Sequence, residues 1–193
     1  MTAEDVIQKF KDSGALLEGH FVLTSGLHSA AYLQCALVLQ SPETAAQFGH
    51  AIAENFRNAN IQAVAAPAIG GIVIGHEVAS ALGVRFIWTE RENGRMTLRR
   101  GFSVSPGERM LVVEDVVTTG GSTRETIDVL RLHGADVFGA ASIIDRSSGK
   151  ADVGVKRFAL ATLNVASVEP ALCDLCKRGE PAIKPGSRKS SGQ

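Results

Sequence analysis

Residues 109–134 read "RMLVVEDVVTTGGSTRETIDVLRLHG". An apolar run ends in two carboxylates, Glu114 and Asp115, then passes through Val116 and Val117 into Thr118, Thr119, Gly120, Gly121 and Ser122. Beyond the loop the apolar residues recur at helical spacing. The continuous "MLVV" suits a strand buried on both faces, as in a parallel sheet, rather than a half-exposed one. The stretch therefore reads as strand, polar loop and helix, the repeating unit of an α/β domain.

The same unit recurs around it. "IQAVAAP" (61–67) reads as a buried strand, "AIGGIVIGHEVASALG" (68–83) as a glycine-started helix and "VRFIWTE" (84–90) as a further strand. "DVFGAASIIDR" (136–146) and "RFALATLNV" (157–165) add two more. Upstream, residues 3–12 and 42–58 carry helical spacing, the second opening with Ser41-Pro42 as N-cap and first helical residue. Between them "HFVL" (20–23) and "AYLQCALVL" (31–39) read as short strands around the turn "TSGLHS" (24–29). The expected fold class is α/β, a mainly parallel sheet flanked by helices. Ligands of such sheets sit beyond the carboxyl ends of the strands. Those ends are "APAIGG", "TEREN", "EDVVTTGGS" and "DRSSGK", each rich in glycine, hydroxyls or charge.

A length of 193 residues suits one domain, and an apolar content of 45% supports a core. With a formal net charge of zero, no global field draws nucleic acid or an anionic membrane, and neither is expected as a partner. The N-terminus lacks a basic stretch followed by an apolar core, and no apolar run approaches the ~18 residues of a membrane span. Cys35, Cys173 and Cys176 are too sparse and odd a set for a disulfide framework, so a reducing cytoplasm is expected. The tail "KPGSRKSSGQ" (184–193) reads as flexible.

Glu114 and Asp115 stand where the strand runs out and a turning backbone lets both reach one ligand. Carboxylates accept hydrogen bonds, so the pair suits a diol such as the 2′ and 3′ hydroxyls of a ribose. The loop from Thr118 to Ser122 aims backbone N–H groups and a helix N-terminus at an anion. Together they describe a cradle for a ribose 5-phosphate. Neither the G-x-x-x-x-G-K-[ST] phosphate loop nor the G-x-G-x-x-G dinucleotide fingerprint occurs. A polar loop with Ser122 as N-cap would explain Ser122, but not the carboxylates, threonines and glycines together.

This stretch resembles the phosphoribosyl-pyrophosphate (PRPP) motif of type I phosphoribosyltransferases: four apolar residues, two acidic ones, then T-x-G-x-[ST]. Over nearly its whole length the chain resembles the orotate phosphoribosyltransferases within that superfamily. "GHFVLTSGLHSAAYLQCALVL" looks like their hood, "APAIGGIVIG" like their pyrophosphate loop, and "IIDRSSG" like the strand end that supplies an arginine to the base's carboxylate.

The resemblance implies a type I phosphoribosyltransferase fold in one domain, 1–193, with hood elements in 1–40, an α/β core in 61–165 and a flexible tail at 184–193. It implies transfer of phosphoribosyl from PRPP to orotate in pyrimidine biosynthesis, by a cytoplasmic homodimer. Glu114, Asp115, Val116, Val117, Thr118, Thr119, Gly120, Gly121 and Ser122 would hold PRPP's ribose 5-phosphate. Ala68, Gly70 and Gly71, after Pro67, would face its pyrophosphate, although the same glycines would also allow close helix–strand packing. Arg146 would clamp orotate's carboxylate beside Thr118, with Tyr32, Leu33 and Gln34 offering backbone groups to the ring. Otherwise Arg146 reads as a surface ion pair with Asp145. Magnesium would arrive on PRPP's oxygens, with no metal ligand from the protein.

The chain departs from the family's pattern in the mobile loop, here "TERENGRMTLRRG" (89–101). Many relatives carry lysines and a closing His-Gly there, whereas this sequence has no lysine between Lys11 and Lys150. Arg91, Arg95, Arg99 and Arg100 are the loop's cations. Arginine keeps its proton, so they suit charge stabilisation of departing pyrophosphate rather than general-acid catalysis. Arg91 and Arg95 are the catalytic candidates, and a solvated strand face is the alternative for all four. Thr24 stands where many relatives have a phosphate-binding lysine. Cys173 and Cys176 form one C-x-x-C, which needs two further ligands to hold zinc. With only Cys35 and five scattered histidines on offer, ordinary thiols are the expected reading. His28 reads as a satisfied turn histidine, and Phe86 and Trp88 as core.

Overall fold

The computed structural model describes residues 1–23, 26–164 and 167–184. The N-terminal periodicity forms α1 (Ala3–Asp12), opened by a capping box between Thr2 and Asp5. β1 (Leu16–Val22) and β2 (His28–Leu33) pair antiparallel, so His28 opens a strand rather than sitting in the turn. Residues 35–39, expected to extend a strand, instead form a short helix, α2 (Cys35–Leu39). An apolar run this short does not separate strand from helix, and its buried Cys35, Val38 and Leu39 follow helical spacing. α3 (Pro42–Ala53) starts as expected, with Ser41 Oγ accepting from the Thr44 N–H at 3.3 Å. It gives way to a 3₁₀ turn at Glu54–Phe56, short of residue 58.

The core runs β3 (Ala63–Pro67), α4 (Gly71–Leu82), β4 (Arg85–Glu92), β5 (Arg95–Leu98), β6 (Arg109–Val117), α5 (Gly121–Leu132), β7 (Asp136–Asp145) and β8 (Arg157–Thr162). These strands form one sheet in the order β5-β4-β3-β6-β7-β8, parallel except for β5. Alternation sorts its side chains into two cores. Val64, Leu111, Val113, Ala141 and Ile143 face α1, α3 and α4, packing with Val6, Phe10, Phe48, Ile52 and Ile74. Ala63, Ala65, Met110, Val112 and Ala140 face α5, packing with Ile127 and Leu130. Burial on both faces explains why these strands read as continuous apolar runs. Phe86 and Trp88, both half-buried on β4, pack with tilted rings whose centroids lie 6.0 Å apart.

Residues 89–101, expected as a loop, are largely an arm: β4 continues to Glu92 and returns as β5 through Asn93-Gly94. Both turn residues have positive φ, 51° for Asn93 and 80° for Gly94, the geometry of a two-residue hairpin turn.

After β8 the chain returns to the hood. β9 (Ser167–Val168) pairs with β2, making a three-stranded sheet β1-β2-β9. A 3₁₀ turn at Pro170–Leu172 and a one-turn α6 (Asp174–Lys177) follow. Ile183 then donates its N–H to the His20 carbonyl at 2.8 Å, and its carbonyl accepts from the Val22 N–H at 2.9 Å. Residues 167–184 thus complete the hood sheet. The expectations for Thr24 and the tail beyond 184 lie outside the described residues.

Candidate active site

Chain order reverses between β3 and β6: from β3 the chain moves to β4 on one side, and from β6 to β7 on the other. Loops diverge at such a point and leave a crevice beyond the carboxyl ends of the two central strands. The loops that flank it here are Pro67–Gly71 and Glu114–Ser122. They touch: a Cβ on Gly70 would lie 2.9 Å from both Asp115 carboxylate oxygens. One on Gly71 would lie 2.9 Å from the Val113 carbonyl and 3.2 Å from Glu114 Oε1. The close helix–strand packing expected of these glycines holds, and they also bring bare backbone to the acidic pair. Ala68 is half-buried, held by its N–H to the Thr89 carbonyl at 2.7 Å.

Two helices begin at this crevice, and neither has a side-chain cap. α4 follows Gly70 and α5 follows Gly120, and neither N-cap residue offers a side-chain hydrogen bond. Away from the crevice, α1 and α3 are capped by Thr2 and Ser41. Ser122 is the second residue of α5, not its N-cap, and is exposed with Thr118, Thr119 and Gly121. Thr119 Oγ1 accepts from the Gly121 N–H at a long 3.4 Å. First-turn N–H groups at both helices therefore face the crevice, with their dipoles, as anion donors.

The acidic pair is uneven. Glu114 is buried and Asp115 half-buried. Burial, then the neighbouring Asp115, pushes the Glu114 carboxyl well above the usual carboxylate range. Asp115 Oδ1 accepts from the Val116 N–H at 2.8 Å. Val117 is buried and Val116 packs against the core, so these two can offer a ligand only backbone.

Arg146 begins the loop after β7, with its N–H donated to the Val117 carbonyl at 2.8 Å. Its side chain makes no ion pair with Asp145. That carboxylate instead accepts from Ser147 and Gly149 and pairs with Arg157 at 3.4 Å. Burial opposes the charge on Asp145, but these bonds outweigh it and hold the carboxyl below its ordinary value. Arg146 is left with a long 3.4 Å bond to Ser29 Oγ and a buried Nε with no partner among the described residues. Burial lowers the pKa of its guanidinium, which lacks the carboxylate that would restore it. Sequence reading missed Ser29, and nothing in "SGLHS" singles it out.

The hood reaches the same place. Burial, then Cys35 and Asp115, raise the Tyr32 phenol while Arg146 opposes them, so Tyr32 lies within the field of both ends of the crevice. Burial first and then Asp115 push the Cys35 thiol up, which sets Cys35, another residue not anticipated, beside the acidic pair. Among the described residues β9 pairs only with His28 and Ser29 of β2. Leu33 is buried, and the Gln34 N–H is taken by the Ala15 carbonyl at 2.8 Å, leaving Gln34 less to offer than expected.

The arginines of the β4–β5 arm separate. Arg100 is bidentate on Glu90, Arg99 pairs with Glu92 at 3.4 Å, and Arg91 pairs with Glu125 at 2.8 Å. Arg95 is exposed and has no ion pair among the described residues.

The phosphoribosyl transferase domain family matches residues 36–169 of the chain. The chain is 53% identical over 189 residues to the orotate phosphoribosyltransferase of Pelotomaculum thermopropionicum, covering 98% of this chain and all of that one. It is 51% identical over 191 residues to the enzyme of that name from Chlorobaculum parvum, covering 99% of both. Its fold is similar to the crystal structure of orotate phosphoribosyltransferase from Aeropyrum pernix, with a TM-score of 0.67 and 29% identity over 82% of this chain and 93% of that one. The crevice at the switch point, with Arg146 beside it, is thus joined to full-length similarity, and the chain belongs to the orotate phosphoribosyltransferases of the type I phosphoribosyltransferase family.

Proposed function

We propose that the protein transfers the 5-phosphoribosyl group from PRPP to orotate, giving orotidine 5′-monophosphate and pyrophosphate, a step of pyrimidine biosynthesis. The observation that carries the choice of base is Arg146. A half-buried guanidinium with an unpartnered Nε between hood and crevice suits a planar carboxylate, which orotate has and a purine lacks. Relatives of about half identical sequence bear the corresponding name.

In this reading the Thr118–Ser122 loop and the start of α5 hold the 5′-phosphate, Glu114 and Asp115 accept from the ribose hydroxyls, and Gly70 and Gly71 offer N–H groups to the pyrophosphate, with Ala68 lining the loop while its own N–H stays on the Thr89 carbonyl. Tyr32 and Leu33 present backbone groups of β2 to the base. N1 of the orotate anion displaces pyrophosphate from C1 of the ribose through an oxocarbenium-like transition state. The protein contributes alignment and charge rather than a covalent intermediate.

Magnesium, bound through PRPP, would neutralise the diphosphate. Two adjacent carboxylates, one of them buried, do not make an all-protein cage for this hard cation, which fits a metal delivered on substrate oxygens. Arg95, unpaired on the arm, is the stronger candidate for stabilising departing pyrophosphate, and Arg91 would have to leave Glu125 to join it. The arm lies at the opposite edge of the sheet from β7 and β8, consistent with a homodimer in which it serves the neighbouring subunit. A cytoplasmic location fits this pathway. No helix among the described residues is long and apolar enough to cross a membrane.

The test compares orotate, uracil, adenine and hypoxanthine as acceptors with PRPP and magnesium. Orotate alone is expected to turn over. Arg146→Ala is expected to lower kcat/KM for orotate roughly a hundred-fold, since a charged hydrogen bond is worth about 1.5–3 kcal/mol. Turnover of a purine would overturn the base assignment while keeping the PRPP cradle.

A further inference from the structure

The fold gathers four side chains that the reaction does not use. His20 from β1, His28 from β2, Cys173 after the Pro170–Leu172 turn and Cys176 in α6 bring one ligand atom each to within 4.8 Å of all the others. His20, His28 and Cys173 are buried and Cys176 is half-buried. The cysteines are free, not disulfide-bonded. In sequence the two pairs stand about 150 residues apart, as the separation of 148 between His28 and Cys176 records, which is why the C-x-x-C by itself offered no site.

We propose that His20 Nε2, His28 Nδ1, Cys173 Sγ and Cys176 Sγ form a structural zinc site that pins the C-terminal segment to the hood. Zinc bonds of about 2.0–2.1 Å to nitrogen and 2.3 Å to sulfur set tetrahedron edges of ~3.6 Å for N–S and ~3.3 Å for N–N. The observed separations are 3.5 Å from Cys173 Sγ to His20 Nε2, 3.7 Å from Cys176 Sγ to His20 Nε2 and 3.2 Å from Cys176 Sγ to His28 Nδ1. His20 Nε2 and His28 Nδ1 lie 2.8 Å apart and would open slightly around an ion. His20 Nδ1 lies 2.8 Å from the Glu180 carbonyl, which can only accept. The proton therefore sits on Nδ1 and leaves Nε2 as a bare lone pair, the outer-shell arrangement that orients metal-binding histidines. Two imidazoles and two thiols are borderline-soft donors that select zinc over magnesium, and four protein ligands close the site to substrate.

Position explains the purpose. The hood sheet has only three strands, one of them two residues long. Small units of this kind are often stabilised by a metal. Glu180 and Ile183 bond the same strand as His20 does, so the ion would complete a patch already drawn together by backbone bonds. None of the four ligands is assigned to PRPP or orotate, and the site does not depend on the reaction proposed above.

The test is the metal content of untagged protein, grown with zinc and freed of loose metal, read by mass spectrometry. About one zinc per chain is expected. Cobalt exchanged into the wild-type protein should give the absorption of a tetrahedral ion with thiolate-to-metal charge transfer. Cys176→Ser and His28→Asn should each lower zinc affinity at least tenfold, while Cys35→Ser keeps the full complement. Wild-type protein that stays metal-free and gives no cobalt spectrum would overturn the site, whether or not the variants fold. So would stoichiometric zinc that both Cys176→Ser and His28→Asn retain.

Discussion

At the scale of single residues, the crevice is built from groups whose ordinary partners have been withheld. Glu114 shows the cost. Its carboxyl is raised by burial and by Asp115, so the folded chain holds a proton that the unfolded chain releases at about pH 4.5. Below that pH both states are protonated and Glu114 exacts no penalty. As pH rises through the unfolded value and towards the folded one, stability falls. Glu114→Gln removes this dependence. Melting of ligand-free protein should show the variant equal to wild type near about pH 4 and more stable by on the order of 1 kcal/mol near about pH 8, roughly 2–4 °C. A gap constant across pH would sink this account of Glu114. PRPP should bind the variant less tightly, because an acceptor for a ribose hydroxyl is weakened. The residue types of this site were legible in sequence, but their electrostatic state was not. Nothing in "IIDRSSG" tells that Asp145 is engaged by Ser147, Gly149 and Arg157, leaving Arg146 with no ion pair among the described residues.

At the scale of elements, the loop between β6 and α5 depends on one glycine more than the turn of the arm does. Gly120 has φ of 80°, and a Cβ there would lie 2.7 Å from Val153 Cγ1, a fully packed side chain. Gly120→Ala should therefore destabilise by about 2–4 kcal/mol, combining left-handed strain with overpacking. It should also raise the KM for PRPP at least tenfold by moving the start of α5. Gly94 has the same φ with nothing within 4 Å, so Gly94→Ala should cost about 1 kcal/mol and leave that KM unchanged. Denaturant melts and PRPP kinetics on the two variants separate backbone strain from loss of the phosphate site. The arm beside Gly94 carries the next test. Arg95→Ala should lower kcat about ten- to a hundred-fold, while Arg99→Ala, which breaks an exposed pair worth under about 1 kcal/mol, should change little. Equal effects from both would return the arm to a solvated strand face. The arm was in fact legible: Asn93-Gly94 between β-compatible residues is a strong hairpin signal, outweighed by the expectation of a mobile loop. α2 was not legible, because five apolar residues fit either period. The five parallel strands of the core were, since strands buried on both faces leave unbroken apolar runs.

At the scale of the whole molecule, the chain is a sheet whose order fixes where a ligand can sit and a smaller sheet that covers the place. The first depends on contacts between neighbouring strand–helix units, which is why it could be read along the sequence. The second depends on a return of the chain after β8, and two-residue β9 and one-turn α6 carry no periodicity to announce it. This division predicts how function comes apart. A chain ended at Glu169 keeps every strand of the core sheet, β9 and all of α1 to α5, but loses Cys173, Cys176 and the backbone bonds of Ile183. β1 and β2 then keep only each other and β9, and so short an antiparallel unit is marginal in water. PRPP should still bind within about threefold of the wild-type affinity, because its crevice is formed by β3, β6 and the helices after them. The KM for orotate should rise at least tenfold, because Ser29 and Tyr32 stand on the loosened strand. Titration of each substrate against the shortened chain checks the split. Loss of PRPP binding in step with orotate, with melting at a single lower temperature, would mean that hood and core fold as one cooperative unit and that the C-terminal segment supports the crevice itself.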